Sequence, residues 1–379
     1  MSQTPVVVDA VRTPQGKEDG VYADVRSEDL SVPLVNQLLA STGVESEQVD
    51  DLLWGCAQQR GEQGNNLARV IALLSDLGEE VPATTVNRWC ASSAQAVMSA
   101  ADAIAAGQRD CLIAGGVESM SRVKMGENTH NVHPRLAELY NVGELQMGMT
   151  AEKVAEEYDV SRAAQDEYAA RSQQRAAEAT DSGRFDDEIV PIETDDGTVE
   201  ADEGIRPDTT AEKLAGLPTV FKSEGTITPG NASQVSDGAA GLVLTSKAFA
   251  EEHGLDIMAE VGAHSVAGVD PTVMGIGPVP AVEKLCERTG RDPDDYDLVE
   301  LNEAFASQTL YCQQELGFDD ETFNVNGGAI AIGHPLGATG ARLPVTLLHE
   351  MEKRDANLGL ATECVGFGQG AAIEFERVE

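Results

Sequence analysis

Cys90 stands at a point in the sequence where a cysteine can act as a nucleophile. It follows the strand-like residues 83–87 and opens an alanine- and serine-rich stretch, residues 92–106, that predicts a helix. A thiol at a helix N-terminus faces unpaired N–H groups and the positive end of the helix dipole, so we expect the pKa of Cys90 to lie below ~8.5. A thiolate exchanges readily with a thioester and can carry an acyl group covalently.

His334 lies in a segment of unusual composition, GGAIAIGHPLG at residues 327–337. We expect a glycine-rich bend between a strand and a helix here, because small neighbours let a backbone and a bulky ligand approach closely. A single histidine is more often structural, but a composition this particular favours a functional residue. We interpret the other histidines as structural or surface residues: His130, His133, His253, His264 and His349.

Alternating strand-like and helix-like segments must position these two residues. Apolar runs predict buried strands at residues 5–10, 51–56, 83–87 and 111–116. Helix-like stretches between them indicate an α/β sheet. From about residue 119 to residue 230 the alternation gives way to charged helical sequence, at residues 151–157 and 162–179, and to turns, which predicts an inserted segment. Strand-like sequence resumes at residues 240–245.

A faint internal repeat relates the surroundings of Cys90 and His334. Cys90 opens a predicted helix that is followed by an Arg-Asp pair at residues 109–110 and a strand. His334 precedes a predicted helix that is followed by an Arg-Asp pair at residues 354–355 and a strand. Such places, just past a strand and at a helix start, are where open α/β sheets bind ligands. Chance similarity between two helix–strand units explains this pattern equally well.

Length and charge exclude several classes of function. The chain has 379 residues, 41% of them hydrophobic, which predicts two or three domains. With 65 acidic and 26 basic residues its formal net charge is −39, and this field repels nucleic acid and anionic membranes. We predict a cytoplasm rich in salt, because the Debye length at 1 M salt is only about 3 Å and distant carboxylates are then screened. An ordinary acidic enzyme is the alternative.

Signals for secretion, membrane insertion and metal binding are missing from the sequence. The first residues, MSQTPVVVDAVRTP, do not resemble a signal peptide, and no run of roughly 18 apolar residues occurs. We therefore expect a soluble, cytoplasmic protein. The 6 cysteines form no CxxC pair, which fits neither a disulfide framework nor a zinc site.

A glycine pattern near the C-terminus imitates a dinucleotide-binding site. Residues 366–371 match GxGxxA, but too few residues follow for the helix, strand and acidic side chain that such a site needs. The sequence also lacks the phosphate-binding pattern GxxxxGK[ST]. We therefore predict neither a nicotinamide cofactor nor ATP.

Four segments together resemble the signature segments of the thiolase family. Each contains one residue able to take part in catalysis, and they read VNRWCASS (residues 86–93), NEAFA (302–306), NGGAIAIGHPLG (326–337) and CVGFGQG (364–370). Further similar segments follow in family order along essentially the whole chain, among them WGC (54–56), GNAS (230–233) and VMGIGP (273–278). The resemblance implies an α/β, thiolase-like fold with a five-layer αβαβα core built from two similar halves.

The same resemblance implies a domain organisation and a set of ligands. The N-terminal half would comprise residues 1–118 and 231–262, and the C-terminal half residues 263–379. Residues 119–230 would form an inserted, mainly helical loop domain that binds coenzyme A. Coenzyme A and acyl-CoA would be substrates, with no permanently bound cofactor and no metal, and the protein would be a homodimer or a homotetramer built as a dimer of dimers.

Catalytic roles are likewise implied by the resemblance. Cys90 would carry the acyl group, and His334 would activate it and donate a hydrogen bond to the thioester oxygen. Cys364 would protonate the departing acetyl-CoA carbanion and later take a proton from coenzyme A. Asn302 would hold a water that forms one oxyanion hole with His334, while the N–H groups of Cys90 and Gly366 would form another.

Contacts to coenzyme A follow from the resemblance in the same way. Arg206 and Phe221 would flank the adenine end, and Ser233 would meet the pantetheine. Met147 and Phe305 would line the route inward. Because coenzyme A is anionic, Lys213 and Lys222 of the inserted segment are further candidates, although both could equally be simple surface lysines.

Smaller differences bear on the subtype. Biosynthetic thiolases that form acetoacetyl-CoA carry CxGGG, a serine-glycine pair after the nucleophile and a histidine before Met-Gly, whereas this chain has Phe367, Ser92-Ser93 and Gln146 there. These departures resemble degradative enzymes, so we favour cleavage of 3-ketoacyl-CoA to acetyl-CoA and a shortened acyl-CoA over an acetoacetyl-CoA-forming acetyltransferase. A catalytically inactive thiolase-like scaffold or lipid-binding subunit would typically have lost a catalytic residue, and none is lost.

Overall fold

The computed structural model describes residues 3–126 and 133–378, so that His130 lies outside the described residues. The strands are β1 Pro5–Arg12, β2 Gly16–Lys17, β3 Asp51–Gly55, β4 Ala83–Val86, β5 Cys111–Ser119, β6 Ile192–Thr194, β7 Gly197–Val199, β8 Ser236–Ser246, β9 Ala259–Gly268, β10 Leu298–Leu301, β11 Leu358–Val365 and β12 Gln369–Glu376. The helices are α1 Ser27–Thr42, α2 Leu67–Leu74, α3 Ser92–Ala105, α4 Pro134–Leu139, α5 Met147–Glu157, α6 Arg162–Asp181, α7 Ala211–Ala215, α8 Lys247–His253, α9 Pro278–Thr289, α10 Ala306–Leu316, α11 Ala329–Ile332 and α12 Leu336–Arg354. Every strand predicted from the apolar runs is present, and so are the helices predicted at residues 92–106, 151–157 and 162–179.

The strands run in the order β10-β11-β12-β9-β1-β8-β5-β3-β4, with β2 paired to β8. In one half β3 is parallel to β5, which is antiparallel to β8, which is antiparallel to β1. In the other half β10 is parallel to β11, which is antiparallel to β12, which is antiparallel to β9. The two halves therefore repeat one strand order, and they join where β1 pairs with β9 over two residue pairs.

Helices α3 and α12 lie side by side between the two halves of the sheet. α3 packs against β3 and β5, α12 packs against β10 and β11, and the two helices pack against each other. α1 and α2 cover the outer face of the first half, and α9 covers the outer face of the second. All nine residues of β5 are buried, as expected for a strand covered on both faces. The five-layer αβαβα prediction is confirmed.

Between β5 and β8 the chain forms the mainly helical segment that the loss of alternation predicted, with α4 to α7 and the β6–β7 hairpin. Its helix α6 begins where the side chain of Ser161 accepts the N–H of Ala164 at 3.2 Å. The buried guanidinium of Arg12 in β1 ties the segment to the sheet through Glu188 at 2.6 Å and Asp202 at 2.8 Å. The domain limits remain a prediction, and the limit set at residues 262 and 263 falls within β9. None of the described helices is both long enough and apolar enough to cross a membrane.

Candidate active site

Cys90 lies in the turn that joins β4 to α3. The turn is tight, because Trp89 has a φ of 49°, a conformation uncommon for a large side chain. The indole of Trp89 packs against the ring of Phe367, with 5.5 Å between the ring centroids. The Cys90 side chain is 3% exposed, and the backbone N–H groups of Gly366 and of Cys90 itself point at its thiol. The two N–H groups assigned by resemblance to one oxyanion hole therefore meet at the sulfur.

The environment of the Cys90 thiol corrects one prediction. Burial raises the pKa of Cys90 to about 12, and the nearby carboxyl of Glu363 adds to the increase, while the N–H groups of Gly366 and Cys90 oppose it. We expected the helix start to lower this pKa, but removal of the thiolate from water outweighs the helix N-terminus. The resting nucleophile is therefore a neutral thiol, and a base must take its proton as it attacks.

His334 lies just before α12, as Cys90 lies just before α3. The two helices pack against each other. The chain before His334 is not the strand that we predicted but the short helix α11. The buried carboxylate of Glu303 accepts the N–H of Ile330 in the first turn of this helix at 3.1 Å, which favours the helical turn because a negative charge stabilises a helix N-terminus. Gly333 then turns the chain with a φ of 115°, and any Cβ there would lie 2.3 Å from Ser236 Oγ, so only glycine fits.

Hydrogen bonds on both ring nitrogens define the tautomer of His334. The Thr339 hydroxyl lies 2.6 Å from His334 Nδ1, and it donates its own hydrogen to the carbonyl of Pro335 at 3.0 Å. Thr339 must therefore accept the Nδ1–H, which leaves a lone pair on Nε2. Nε2 lies 3.3 Å from Asn302 Nδ2, which donates to it. The imidazole is oriented with a basic nitrogen toward Asn302.

His334 is a neutral base at physiological pH. Burial, together with the positive charge of Arg342, lowers the pKa of its imidazole to about 3. Both groups of a Cys90–His334 pair are thus uncharged at rest. A neutral imidazole of this kind can receive the thiol proton during attack and hold it until a thiolate leaves.

Asn302 follows β10 at the end of the strand, where its N–H donates to the carbonyl of Thr362 in β11 at 3.0 Å. Its side chain is fully buried. While Nδ2 bonds to His334, Oδ1 has no hydrogen-bond partner among the described residues. A buried amide oxygen without a partner costs about 1–3 kcal/mol, so this atom is suited to hold a water molecule or a ligand group.

Cys364 lies near the end of β11, adjacent to β10, and its thiol is 1% exposed. Burial raises the pKa of Cys364 well above its ordinary value, and the neighbouring Cys90, Cys312 and Glu363 act in the same direction. Cys364 is therefore a protonated thiol in the resting protein. Because Cys90 acts electrostatically on Cys364, the two thiols predicted to be catalytic lie in one site.

Four of the five residues assigned by resemblance to coenzyme A lie around Cys364. Met147 and Phe305 belong to the same apolar cluster as Cys364. Phe221 is 43% exposed and meets Phe305 edge-on, with 6.3 Å between ring centroids. Ser233 donates its N–H to the carbonyl of the residue before Phe305 at 3.0 Å. A continuous set of apolar contacts thus connects the exposed ring of Phe221, through Phe305, with Cys364.

The cations proposed for the coenzyme A phosphates differ in their surroundings. The Arg206 N–H donates to Gln173 Oε1 at 2.7 Å, whereas its exposed side chain has no hydrogen bond or ion pair with a described residue. Lys222 forms an ion pair with Glu156 at 2.7 Å, and the Lys213 ammonium donates to a backbone carbonyl. Of these three cations, Arg206 alone needs no rearrangement to meet an anion.

Two residues that hold the site together escaped the sequence analysis. Thr339 sets the tautomer of His334, and Glu118 joins the two halves. The buried Glu118 carboxylate accepts the N–H groups of Ala57 and Gly337, each at 2.9 Å, so the start of α12 is tied to the loop after β3. Spacing could have indicated Thr339, since it lies about one helical turn after His334, but nothing local marks Glu118.

Other chemistries find no support in the described residues. No group of three or more His, Cys, Asp or Glu side chains is arranged to hold a metal ion in the part of the chain that the structure describes. The GxGxxA pattern at residues 366–371 forms the turn of the β11–β12 hairpin and the start of β12, with no helix after it. The prediction that it is not a dinucleotide site is consistent with this geometry.

Comparison with known proteins identifies the family. The sequence profile of the thiolase N-terminal domain matches residues 5–248, and that of the thiolase C-terminal domain matches residues 255–377. This chain belongs to the thiolase family. It is 47% identical to a 3-ketoacyl-CoA thiolase of Pectobacterium carotovorum, over 98% of this chain and 99% of that protein. It is 48% identical to a beta-ketoadipyl-CoA thiolase of Pseudomonas aeruginosa, over 100% of both chains.

A solved structure agrees with the fold. The crystal structure of the Bacillus anthracis acetyl-CoA acetyltransferase is similar with a TM-score of 0.92 and 41% sequence identity, and the similarity covers 100% of this chain and 99% of that chain. The chain is therefore an acyltransferase of the thiolase type. Relatives named for different substrates share this scaffold, so the fold alone does not define the substrate.

Proposed function

We propose that this protein cleaves 3-ketoacyl-CoA with coenzyme A, giving acetyl-CoA and an acyl-CoA shortened by two carbons, as in fatty acid β-oxidation. The observation that carries the proposal is the pairing of two buried, protonated thiols, Cys90 and Cys364, with a neutral imidazole at His334. One thiol is needed to carry the acyl group and the other to move a proton at the α-carbon. Relatives at 47% identity bear the name 3-ketoacyl-CoA thiolase, which supports this direction.

In the first half-reaction the thiol proton of Cys90 moves to Nε2 of His334 as the sulfur attacks the C3 carbonyl. The carbonyl oxygen becomes negative and is stabilised by the N–H groups of Cys90 and Gly366. The C2–C3 bond then breaks, and its electron pair forms the enolate of acetyl-CoA. The Cys364 thiol protonates C2, while His334 and a water on Asn302 stabilise the enolate oxygen. The products are acetyl-CoA, an acyl thioester on Cys90 and the thiolate of Cys364.

In the second half-reaction coenzyme A loses its thiol proton to the Cys364 thiolate. Its sulfur attacks the acyl thioester on Cys90, and the same two N–H groups stabilise the tetrahedral oxyanion. Cys90 leaves as a thiolate and recovers its proton from His334. Cys90 recovers its own proton from His334, whereas the proton that Cys364 gave to acetyl-CoA is replaced by the one taken from coenzyme A, so the cycle needs no external acid, base or cofactor.

Trapping the acyl-enzyme tests this proposal. Protein quenched during turnover of 3-ketoacyl-CoA should carry the acyl group on Cys90 by mass spectrometry, and the kinetics should be ping-pong. Cys90→Ala should be unlabelled and inactive. Label on another residue, or intersecting double-reciprocal plots without an acyl-enzyme, would overturn the mechanism.

Acetoacetyl-CoA formation is the second candidate, because the solved relative is named an acetyl-CoA acetyltransferase. The residues Phe367, Ser92-Ser93 and Gln146 argue against it. Thiolysis rates over a series of 3-ketoacyl-CoA chain lengths distinguish the two. Activity confined to acetoacetyl-CoA would favour the second candidate. A substrate with a terminal carboxylate belongs in the series, since one relative is named a beta-ketoadipyl-CoA thiolase.

We propose residues 119–230 as the unit that binds coenzyme A, with Met147, Phe221, Ser233 and Phe305 along the pantetheine route and Arg206 at the phosphate end. The apolar contacts around Cys364 and the unpaired guanidinium of Arg206 support this placement. Arg206→Gln should raise the KM for coenzyme A while kcat is kept. An unchanged KM would remove Arg206 from the site.

We also propose that the protein works in the cytoplasm of a salt-rich cell, as a homodimer or a dimer of dimers. The net charge of −39 supports the first part. For the second, β4 is the outermost strand of its half, and its free edge leads within a few residues to Cys90. Unpaired edges invite pairing with a second chain. Light scattering at molar salt should give two or four times 40.0 kDa, and a monomer would refute the assembly.

A further inference from the structure

Glu363 is a buried carboxyl group that takes no part in the proposed mechanism. It is 1% exposed, and neither carboxyl oxygen has a hydrogen-bond partner among the described residues. Buried carboxyls are normally paired, because an isolated charge away from water is very unfavourable. By contrast, Glu303 and Glu118, which are also fully buried, are each bound by several donors.

The position of Glu363 connects it with both thiols. It precedes Cys364 in β11, and its side chain points into the middle helix layer. A Cβ on Gly340 of α12 would lie 2.6 Å from Glu363 Oε1 and 2.3 Å from the backbone N of Ala94. The carboxyl therefore lies close to the first turn of α3, the turn that Cys90 precedes.

Charged and titratable groups face Glu363 from each neighbouring element. α12 contributes Arg342, whose Nη1 bonds to Glu300 of β10 at 3.0 Å and whose Nη2 has no hydrogen-bond partner among the described residues. β11 contributes Cys364, and the residue before α3 is Cys90. Arg342 is thus a single buried cation that faces two buried carboxyls, Glu300 and Glu363, and its hydrogen bond goes to Glu300.

A charge on Glu363 would oppose a charge on Cys90. Both groups lie near the amino end of α3, so a carboxylate and a thiolate would face the positive end of the same helix dipole. Two like charges in a low dielectric do not form together, because each raises the pKa of the other. The carboxyl of Glu363 accordingly raises the pKa of both Cys90 and Cys364. Burial raises the pKa of Glu363 itself well above its ordinary range, although Arg342 opposes this.

We propose that Glu363 is a pH-sensitive residue that acts through Cys90: as a neutral acid it leaves the Cys90 thiol reactive, and its ionisation in alkaline solution suppresses thiolate formation at Cys90. The neutral form adds no charge near the sulfur. The ionised form places a negative charge near it and thereby disfavours the thiolate. The proposal deepens the function proposed above, since it assumes that Cys90 is the nucleophile.

The test is the pH dependence of Cys90 alkylation by iodoacetamide, followed by peptide mass spectrometry. In the parent protein the rate constant should rise with pH and then bend where Glu363 ionises. In Glu363→Gln and Glu363→Met the bend should disappear. Above the bend the variants should react about tenfold faster or more, equivalent to a change of about one unit in the Cys90 pKa, and below it they should match the parent protein.

Glu374→Gln is a matched control, because Glu374 is a buried carboxyl in β12 that bonds to Tyr296 rather than facing α3. Its profile should follow the parent profile, bend included. Using both a polar and an apolar replacement of Glu363 guards against loss of folding in either one, and melting temperatures check this. If Glu363→Gln or a folded Glu363→Met keeps the parent bend, the proposal is overturned. Alkylation needs no turnover, so this result is independent of whether Cys90 is acylated by 3-ketoacyl-CoA.

Discussion

Replacement of Thr339 by valine should slow catalysis by removing the group that fixes the His334 tautomer. Thr339 accepts the Nδ1–H at 2.6 Å, and its hydroxyl hydrogen is already used by the Pro335 carbonyl. Valine has nearly the same shape but no acceptor. The buried Nδ1–H then has no partner, and the tautomer with hydrogen on Nε2 becomes accessible. That tautomer cannot receive the proton of Cys90.

The expected magnitude follows from the charge that develops on His334. A hydrogen bond between neutral groups contributes about 0.5–1.5 kcal/mol, and one to a charged group about 1.5–3 kcal/mol. His334 is neutral in the ground state and gains a proton in the transition state, so only the difference, roughly 0.5–2 kcal/mol, affects kcat. This corresponds to a loss of roughly 2- to 30-fold, and population of the wrong tautomer increases it.

Thr339→Ser is the matched control, because it keeps the hydroxyl. Steady-state thiolysis and the rate of Cys90 acylation should both fall in Thr339→Val and stay near the parent values in Thr339→Ser. Melting temperatures should be measured for both variants, to separate loss of folding from loss of catalysis. If Thr339→Val matches Thr339→Ser in both rates, the hydrogen bond does not control the base, and the tautomer argument is wrong.

Three further predictions concern the thiols, the buried imidazole and the surface charge. Cys364→Ala should lose methyl-proton exchange in acetyl-CoA and overall thiolysis by about 10²-fold or more, while burst acylation of Cys90 changes far less; exchange near the parental rate would exclude Cys364 as the proton carrier. The His334 pKa of about 3 lies below that of an unfolded histidine, so below about pH 6.5 the unfolded chain binds a proton that the native protein does not. Between pH 6 and 4 the unfolding free energy of the parent protein should therefore fall relative to His334→Gln by about 1.4 kcal/mol per pH unit, and denaturant titrations in which the difference stays constant would contradict the neutral imidazole. Activity and melting temperature should rise with KCl into the molar range because repulsion among carboxylates is screened, whereas an optimum below about 0.2 M would reject the salt-rich environment without affecting the enzymatic assignment.

Local sequence was sufficient to predict the elements that carry the catalytic residues. The small residues after Cys90 predict α3, and the structure has α3 from Ser92 to Ala105. The repeated Arg-Asp pairs indicated two equivalent helix–strand units, and α3 and α12 occupy equivalent places in the middle layer. Apolar runs predict strands because a strand covered on both faces has no polar side to alternate with.

The errors arose where tertiary contacts outweigh local preference. The pKa of Cys90 was predicted from its position at a helix start, but its value depends on burial, which no local pattern reveals. We predicted that a strand leads into the glycine-rich bend at His334, but residues 329–332 form a helical turn there. The N–H of Ile330 in this turn is bound by the carboxylate of Glu303, which is distant in sequence. Glu118 was missed for the same reason, because its partners come from two other parts of the chain.

The central position of β1 has a consequence for how the protein is made. β1 leaves the ribosome before its partners, because among the described strands it pairs with β8 and β9, which begin at Ser236 and Ala259. At about 5–20 residues per second the chain grows for roughly 10 to 50 s before β1 can find a neighbour. Throughout that time an apolar strand with two open edges is exposed, and such edges template aggregation. Production of this protein should therefore be limited by chaperone supply during synthesis rather than by the stability of the finished fold.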